Sequence, residues 1–165
     1  MWSCKNGRLF RHGRPEGLHS VYLTCLHVDD DQALWIGTKG GGLWRHRDGK
    51  FIKVGTDSGL PFDTVMSITA GAEGHLWMAT AHGLVRLSRA ELNDCADGAR
   101  QKVGYLQLDL TDGLKSLEFE GPNQPNACRA SDGRMWFATG AGLAQVDEAS
   151  LYTNSRVPQI GRAHV

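Results

Sequence analysis

The 165-residue chain carries 18 basic and 18 acidic side chains, so its formal net charge is zero. This balance gives no electrostatic argument for binding to nucleic acid or to an anionic membrane. The sequence has no run of about 18 apolar residues, which a membrane-spanning helix needs. Residues 1–10 also lack the apolar core of a signal peptide. The chain is therefore expected either to stay in the cytosol or to have lost an upstream part.

Glycine-rich turns separate short apolar segments along the chain. Glycine accounts for 21 residues, an excess that favours tight turns between short strands. In chain order, residues 1–16 are predicted to form the third and fourth strands of an incomplete four-stranded unit. Three further units are predicted to start near residues 20, 62 and 124, and residues 161–165 form a tail. The clearest strands are predicted at 50–54, 64–70, 75–80 and 83–88.

One motif occurs three times, as LWIGTKGGGLWR at 34–45, LWMATAHGLVR at 76–86 and MWFATGAGLAQV at 135–146. The tryptophans of the first two copies, Trp35 and Trp77, are 42 residues apart. A fixed period near 42 is the length expected of a four-stranded propeller blade. We therefore predict an all-β fold, in which antiparallel four-stranded meanders form a partial β-propeller ring of about three to four blades.

Two insertions separate the second and third copies of the motif. The third copy lies 59 residues beyond the second, which is 17 more than the period. One insertion falls between Leu87 and Gly104, where a short helix and a flexible loop exposing Cys95 are predicted. The other follows Leu114 and is predicted to lengthen the loop that enters the last blade. Residues 147–154 are expected to form one helical turn.

The repeated tryptophans are interpreted as packing residues between neighbouring blades. The second strand of each blade must be apolar on both sides, because blades pack face to face around an axis. Two residues after each tryptophan the side chain stays small, where the adjacent sheet would come close. The predicted inter-blade residues are Trp35, Trp77 and Trp136 with Gly37, Ala79 and Ala138.

The stretch LWIGTKGGGLWRHRDGKF, with DSGLPFDTVMSI and GHLWMATAHGLVRL after it, resembles the two-component regulator propeller repeat. The segment DGLKSLEFEGPNQPNACRASDGRMWFATGAGLAQVDEASLYTNSRVPQI is similar to the last blade of sensors built from this repeat. The resemblance covers residues 7 to 160. It implies a bacterial, non-catalytic sensor module of hybrid histidine kinases or diguanylate cyclases, with a periplasmic location. The chain itself carries no kinase, receiver or cyclase motif and no export signal.

One rim of the predicted ring carries the candidate ligand-binding residues. Turns between the second and third strands share this rim with the loops that enter the next blade, and loops on a rigid scaffold commonly bind ligands. The candidates are Lys39, His82, Glu118, Asn123 and Gln124, with Asp63 beside them. Arg129 is a further candidate that would point to the axis. Amide and carboxylate groups suit a carbohydrate-like ligand, although solvated loops explain each residue equally well.

No catalytic residue, cofactor or metal site is predicted. His27 and Asp29 lie on one face of a strand, but two residues do not complete a metal site, and Asp29–Asp31 is interpreted as a solvated hairpin turn. The alternative functions are a metal-dependent propeller lyase or hydrolase and a pure protein-interaction ring. The enzyme needs inward His, Asp or Glu residues at equivalent innermost positions. These positions do not repeat such residues: Leu23/Val65, Cys25/Ser67/Asn126 and His27/Thr69/Cys128.

An open arc of blades leaves apolar faces and unpaired strand edges at both ends. The rest of a longer sensor, a second copy or another partner would cover them. In a homodimer, strands at the end of one chain would complete the incomplete blade at the start of the other. No nucleic acid and no membrane contact is expected. Free thiols are favoured over disulfides for the four cysteines, Cys4, Cys25, Cys95 and Cys128.

Overall fold

Four antiparallel sheets follow one another along the chain. The computed structural model describes residues 2–13, 17–19, 22–119 and 125–151. The N-terminal hairpin consists of β1 (Trp2–Lys5) and β2 (Arg8–Arg11), and the first sheet of β3 (Leu23–Val28), β4 (Leu34–Thr38), β5 (Leu43–Arg47) and β6 (Lys50–Val54). The second sheet contains β7 (Val65–Ala70), β8 (His75–Thr80), β9 (Gly83–Ser88) and β10 (Tyr105–Leu108), and the third contains β11 (Ala127–Arg129), β12 (Met135–Thr139) and β13 (Gly142–Val146).

Each sheet is a meander in which strands adjacent in sequence are also paired in space. The first and second sheets repeat one register, including a bulge of one residue in the innermost strand. The pairs on either side of this bulge are Leu23–Thr38 and Cys25–Gly37 in the first sheet, and Val65–Thr80 and Ser67–Ala79 in the second. The prediction of four-stranded antiparallel meanders is confirmed by these two sheets.

The hydrophobic core lies between the sheets. One buried cluster joins the first and second sheets, from Trp35 and Val54 on one side to Ile68 and Val85 on the other. A second cluster joins the second and third sheets, and a smaller one covers the opposite face of the first sheet. The innermost strands β3, β7 and β11 contact one another in that order. The sheets are therefore stacked face to face with their innermost strands side by side.

The predicted helix in the first insertion is present as α1 (Arg89–Ala96). Ser88 caps its N-terminus by accepting a hydrogen bond from the backbone N–H of Glu91. The helix packs on β6 and β9 and buries Leu92 and Ala96, so it spans the junction between the first and second sheets. Across the described residues, no helix has the length and apolar composition needed to cross a membrane.

A buried arginine ties α1 to the first sheet. Arg45 on β5 has only 3% of its side chain exposed, and it donates to the Asn93 side chain at 2.8 Å. Its guanidinium also forms an ion pair with the carboxylate of Asp97, at the end of the helix. This pairing lowers the pKa of Asp97 through the hydrogen bond from Arg45. The helix α1 therefore connects the second sheet, from which it continues, to the first sheet, which it contacts through Arg45.

The second insertion lies between β10 and β11, after Leu114 as predicted. The loop from Val54 to Val65 has the same length as the loop from Leu108 to Phe119. Each contains a 3-10 helix, at Thr56–Ser58 and Leu110–Asp112, followed by a glycine with positive φ. The connection from β10 to β11 is longer than the connection from β6 to β7, and its additional residues come after Phe119, in agreement with an insertion after Leu114.

The additional residues fall at the position of the bulge in the innermost strand. Phe119 pairs with Thr139, as Val65 pairs with Thr80 in the second sheet. The backbone of Asn126 then accepts a hydrogen bond from Ala138 at 2.9 Å. Residues 120–125 thus separate two pairs that a single residue, Met66, separates in β7.

All four cysteines are free thiols in the structure. Cys4 and Cys128 are exposed, Cys95 is intermediate and Cys25 is buried. Burial raises the pKa of the Cys25 thiol to about 11. Burial is also the main cause that raises the pKa of Cys95. The expectation of free thiols is confirmed, whereas the expected exposure of Cys95 is only partial.

Thiol labelling of the folded protein is expected to separate these cysteines into three classes. Because a thiolate is the reactive form, Cys4 and Cys128 should react rapidly with an alkylating reagent, Cys95 slowly, and Cys25 only on unfolding. Peptide mass spectrometry after timed labelling at neutral pH measures this order. The unfolded chain in denaturant is the control, in which all four should react at similar rates. Rapid alkylation of Cys25 in the folded protein would contradict the burial of this side chain.

Candidate functional site

The predicted ligand-binding rim is formed by turns and loops held through their backbones. Lys39 follows β4, and its N–H donates to the carbonyl of Tyr22 at 2.9 Å. His82 lies in the turn between β8 and β9, where its carbonyl accepts from the Gln107 side chain at 3.0 Å. Glu118 precedes the third sheet, and its carbonyl accepts from Gly140 N–H at 2.7 Å. All three side chains are exposed.

Neighbouring units are connected along this rim. The turn after β4 donates two hydrogen bonds to the loop that enters the second sheet, from Gly42 N–H to the Asp63 carbonyl at 2.7 Å and from Gly40 N–H to the Thr64 hydroxyl at 3.0 Å. The Thr64 hydroxyl in turn donates to the Asp63 carboxylate at 2.9 Å. The backbone of the rim is thus held by hydrogen bonds while the candidate side chains are exposed, which is the arrangement expected of a binding surface.

The remaining ligand candidates do not lie with these three. Arg129 is the last residue of β11 and is exposed beside the turn to β12, so it lies at the opposite end of its strand from the candidate rim. Asn123 and Gln124 lie outside the described residues. Within the described part of the chain, no hydrogen bond or ion pair joins the side chains of Lys39, His82, Glu118 and Arg129.

Metal-binding side chains are not clustered in the part of the chain that the structure describes, where no group of three His, Cys, Asp or Glu residues could hold a metal ion. His27 is half-buried on β3. Asp29 does not lie in a solvated turn as predicted, because it is only 4% exposed. Its carboxylate accepts from Trp35 Nε1 at 2.8 Å and from the backbone N–H groups of Asp31 and Ala33 at 3.0 and 2.9 Å. Asp29 is therefore an internal acceptor for the packing tryptophan.

The three packing tryptophans differ in their surroundings. Trp35 and Trp77 are fully buried, each in a cluster between two sheets. Trp136 is only half-buried, as the third sheet has no described neighbour on its other side. Among the small residues, Ala79 is buried and Ala138 is half-buried. Gly37 is the most confined, because a Cβ there would lie 2.3 Å from Cys25 Sγ and 3.0 Å from Val65 Cγ1.

A cleft lies between the outer edges of the second and third sheets. It has a volume of about 550 Å³ and is lined by β10, by the end of β13 and by residues 112–114 and 147–151. At the first junction the corresponding space is filled by Leu92, Ala96 and Val103, which follow β9. We interpret the cleft as the space for additional chain packing on β13, rather than as a preformed ligand pocket.

The stability of the fold is expected to fall in mildly acidic solution. Burial lowers the pKa of both His27 and His46 from 6.5, and the neighbouring His12 contributes for His46. The folded protein then binds protons less tightly than the unfolded chain. Stability is therefore fully present above pH 6.5 and declines as the pH falls below that value.

Urea unfolding between pH 7.5 and 5 measures this dependence. His27→Gln and His46→Gln should each flatten the decline, and the double variant should flatten it most. The same variants at pH 7.5 report the cost of the substitution itself, since the wild-type histidines are then neutral. A decline of equal steepness in the double variant would show that other groups cause it.

Comparison with solved structures identifies the architecture. The chain is similar to the extracellular domain of BT3049 of B. thetaiotaomicron, a protein assigned to the hybrid two-component systems, with a TM-score of 0.63 and 21% identity. Two structures of the extracellular domain of BT4673 of the same organism give a TM-score of 0.65 at 18% and 20% identity. The alignments cover 83–88% of this chain. The chain has the fold of a segment of propeller-type sensor domains.

The resemblance predicted from the repeated motif is thus confirmed at the level of the fold. The sheets are blades, and the innermost strands β3, β7 and β11 face the propeller axis. This propeller segment spans only 17–20% of the length of the three structures. No family model and no curated protein matches the chain.

Proposed function

We propose that this propeller segment is a non-catalytic part of an extracellular or periplasmic sensor of two-component signalling. The likeness to extracellular domains of proteins assigned to such systems carries the proposal. The segment corresponds to about a fifth of those domains, so it would act within a larger assembly. Ligand or partner binding would change the packing of blades, and a separate output domain would respond to that change.

The candidate rim supports binding of a small hydroxylated ligand. Lys39, His82 and Glu118 place an ammonium, an imidazole and a carboxylate on turns whose backbones are fixed by hydrogen bonds. Their side chains form no bond with one another in the described residues, so they are available to a ligand. Donors and acceptors of this mixed kind match the hydroxyl groups of a carbohydrate.

A thermal-shift screen with mono- and oligosaccharides tests this proposal. A ligand that binds only the folded state stabilises it by RT ln(1 + L/Kd), where L is the free ligand concentration, so the unfolding temperature rises as L exceeds the dissociation constant Kd. Lys39→Ala, His82→Ala and Glu118→Gln should reduce the shift, whereas Asp132→Asn, an exposed residue in the turn between β11 and β12, should not. No shift with any saccharide, or a shift insensitive to the rim variants, would overturn carbohydrate binding at this rim.

The two ends of the arc support a second form of partner binding. On the first sheet, Tyr22, Leu26 and Val28 are 69%, 52% and 58% exposed, whereas Ile68, which is equivalent to Leu26, is 8% exposed under the first sheet. On the third sheet Leu143 is 72% exposed. An additional blade, from a longer sensor or from a second copy of the chain, would cover these side chains.

Light scattering of the purified chain distinguishes a second copy of the chain from the rest of a longer sensor as the partner that covers these side chains. A homodimer predicts twice the mass of one chain, and Leu26→Ser should return it to a monomer. The exposed substitution Asp132→Asn is the control and should leave the mass unchanged. A folded wild-type sample with the mass of one chain would exclude the homodimer and leave cover by a longer sensor.

A further inference from the structure

The two fully buried tryptophans obtain hydrogen-bond partners differently. In the first blade, Trp35 Nε1 donates to Asp29 at 2.8 Å. The residue equivalent to Asp29 in the second blade is Gly71, 42 residues later. Trp77 Nε1 is buried and has no hydrogen-bond partner in the described residues. The second blade therefore lacks its own carboxylate at the position where the first blade has one.

A carboxylate from the third blade enters this position. Glu148 follows β13 and has only 8% of its side chain exposed. Its Oε2 accepts a hydrogen bond from Ala72 N–H, in the second blade, at 2.5 Å. A Cβ on Gly71 would lie 2.9 Å from Glu148 Oε2 and 3.0 Å from Trp77 Nε1. The absence of a side chain at Gly71 thus makes room for Glu148 beside the indole.

Two cationic or potentially cationic groups of the second blade face the same carboxylate. His75 Nδ1 and an Arg86 guanidinium nitrogen each lie 3.8 Å from Glu148 Oε1. That oxygen is buried and accepts no hydrogen bond in the described residues. A small movement of either side chain, or one bridging water molecule, would satisfy it. Glu148 is therefore held by the second blade through charge as well as through a backbone hydrogen bond.

We propose that Glu148 helps to dock the third blade onto the second, by placing a carboxylate across the junction beside the Trp77 indole, at the position that Asp29 occupies within the first blade. This inference goes beyond the proposed sensor function and does not depend on any ligand. The first junction is spanned by α1, whereas the described part of the second junction has no such helix. In the described residues, the third blade contacts the second through an apolar cluster, through the Asn126 side chain, which donates to the Met66 carbonyl at 3.1 Å, and through Glu148.

Hydrogen exchange of the full chain tests this contribution of Glu148 to docking. Glu148→Gln removes the charge and keeps the shape, so amides of β11–β13 should exchange about tenfold faster or more, because a buried charged contact is lost. Amides of β4 and β5 should be unaffected. Asp132→Asn, which neutralises an exposed carboxylate of the same blade, should change neither set. Unchanged protection of β11–β13 in Glu148→Gln, or an equal loss in β4 and β5, would overturn the proposal.

Discussion

Replacing Asp29 with alanine is expected to lower the free energy of unfolding by about 2–5 kcal/mol, because buried donors would lose the acceptor that they have among the described residues. The Asp29 carboxylate accepts from Trp35 Nε1 and from the N–H groups of Asp31 and Ala33. Trp35 and Ala33 are fully buried, so water cannot replace the lost bonds without opening the core. The indole at the centre of the first junction would then be held by packing alone.

Urea unfolding measures this loss, and the adjacent aspartate is the matched control. The Asp30 side chain is 93% exposed and forms a surface ion pair with Arg89 at 2.8 Å. Asp30→Ala should therefore cost less than about 1 kcal/mol. Asp29→Asn should give an intermediate loss, since an amide keeps one acceptor oxygen but turns a donor toward one of the three N–H groups. Equal losses for Asp29→Ala and Asp30→Ala would contradict the internal role of Asp29.

The repeat made most of the fold predictable from the sequence. The 42-residue spacing of the tryptophans fixes which residues are equivalent, and glycine turns mark the ends of strands. Asp29 was less accessible to this reasoning. A triplet of aspartates normally indicates a solvated turn, and the other copies of the motif have Gly71 and Ala130 at the equivalent position. The burial of Asp29 depends on its contact with an indole six residues later.

Contacts between blades were beyond prediction from a single sequence. Glu148 and Ala72 are 76 residues apart, and no local pattern indicates that the carboxylate of one blade replaces a missing one in another. Arg45 and Asp97 are joined in the same way, through an insertion that the motif spacing reveals only by its length. For the candidate rim, the alternation of turns places Lys39, His82 and Glu118, but their ligand depends on chemistry that a repeat built for packing does not encode.

Gly37→Ala is expected to destabilise the fold by about 1–3 kcal/mol, because the new methyl group overfills the junction between the first and second blades. The Cβ would lie 2.3 Å from Cys25 Sγ, 3.0 Å from Val65 Cγ1 and 3.1 Å from Thr24 Oγ1. The loss should exceed the gain of about 0.5–1 kcal/mol that alanine brings over glycine in a strand. Thermal or urea unfolding of the single variant measures the net effect.

The second blade indicates how the chain tolerates a methyl group at this position. Gly37 pairs with Cys25 in the first blade, whereas Ala79 pairs with Ser67 in the second. Where the residue on the innermost strand carries the larger sulfur atom, its partner is glycine, and where it carries the smaller oxygen atom, its partner is alanine. The combined volume of the two paired side chains is therefore similar in the two blades. Cys25→Ser combined with Gly37→Ala should therefore be more stable than the sum of the single losses predicts, by about 1 kcal/mol or more. Cys4→Ser, at an exposed cysteine, is the control and should give no such compensation. If the losses of Cys25→Ser and Gly37→Ala are strictly additive, the steric conflict at residue 37 comes from Val65 and Thr24 and not from the sulfur atom of Cys25.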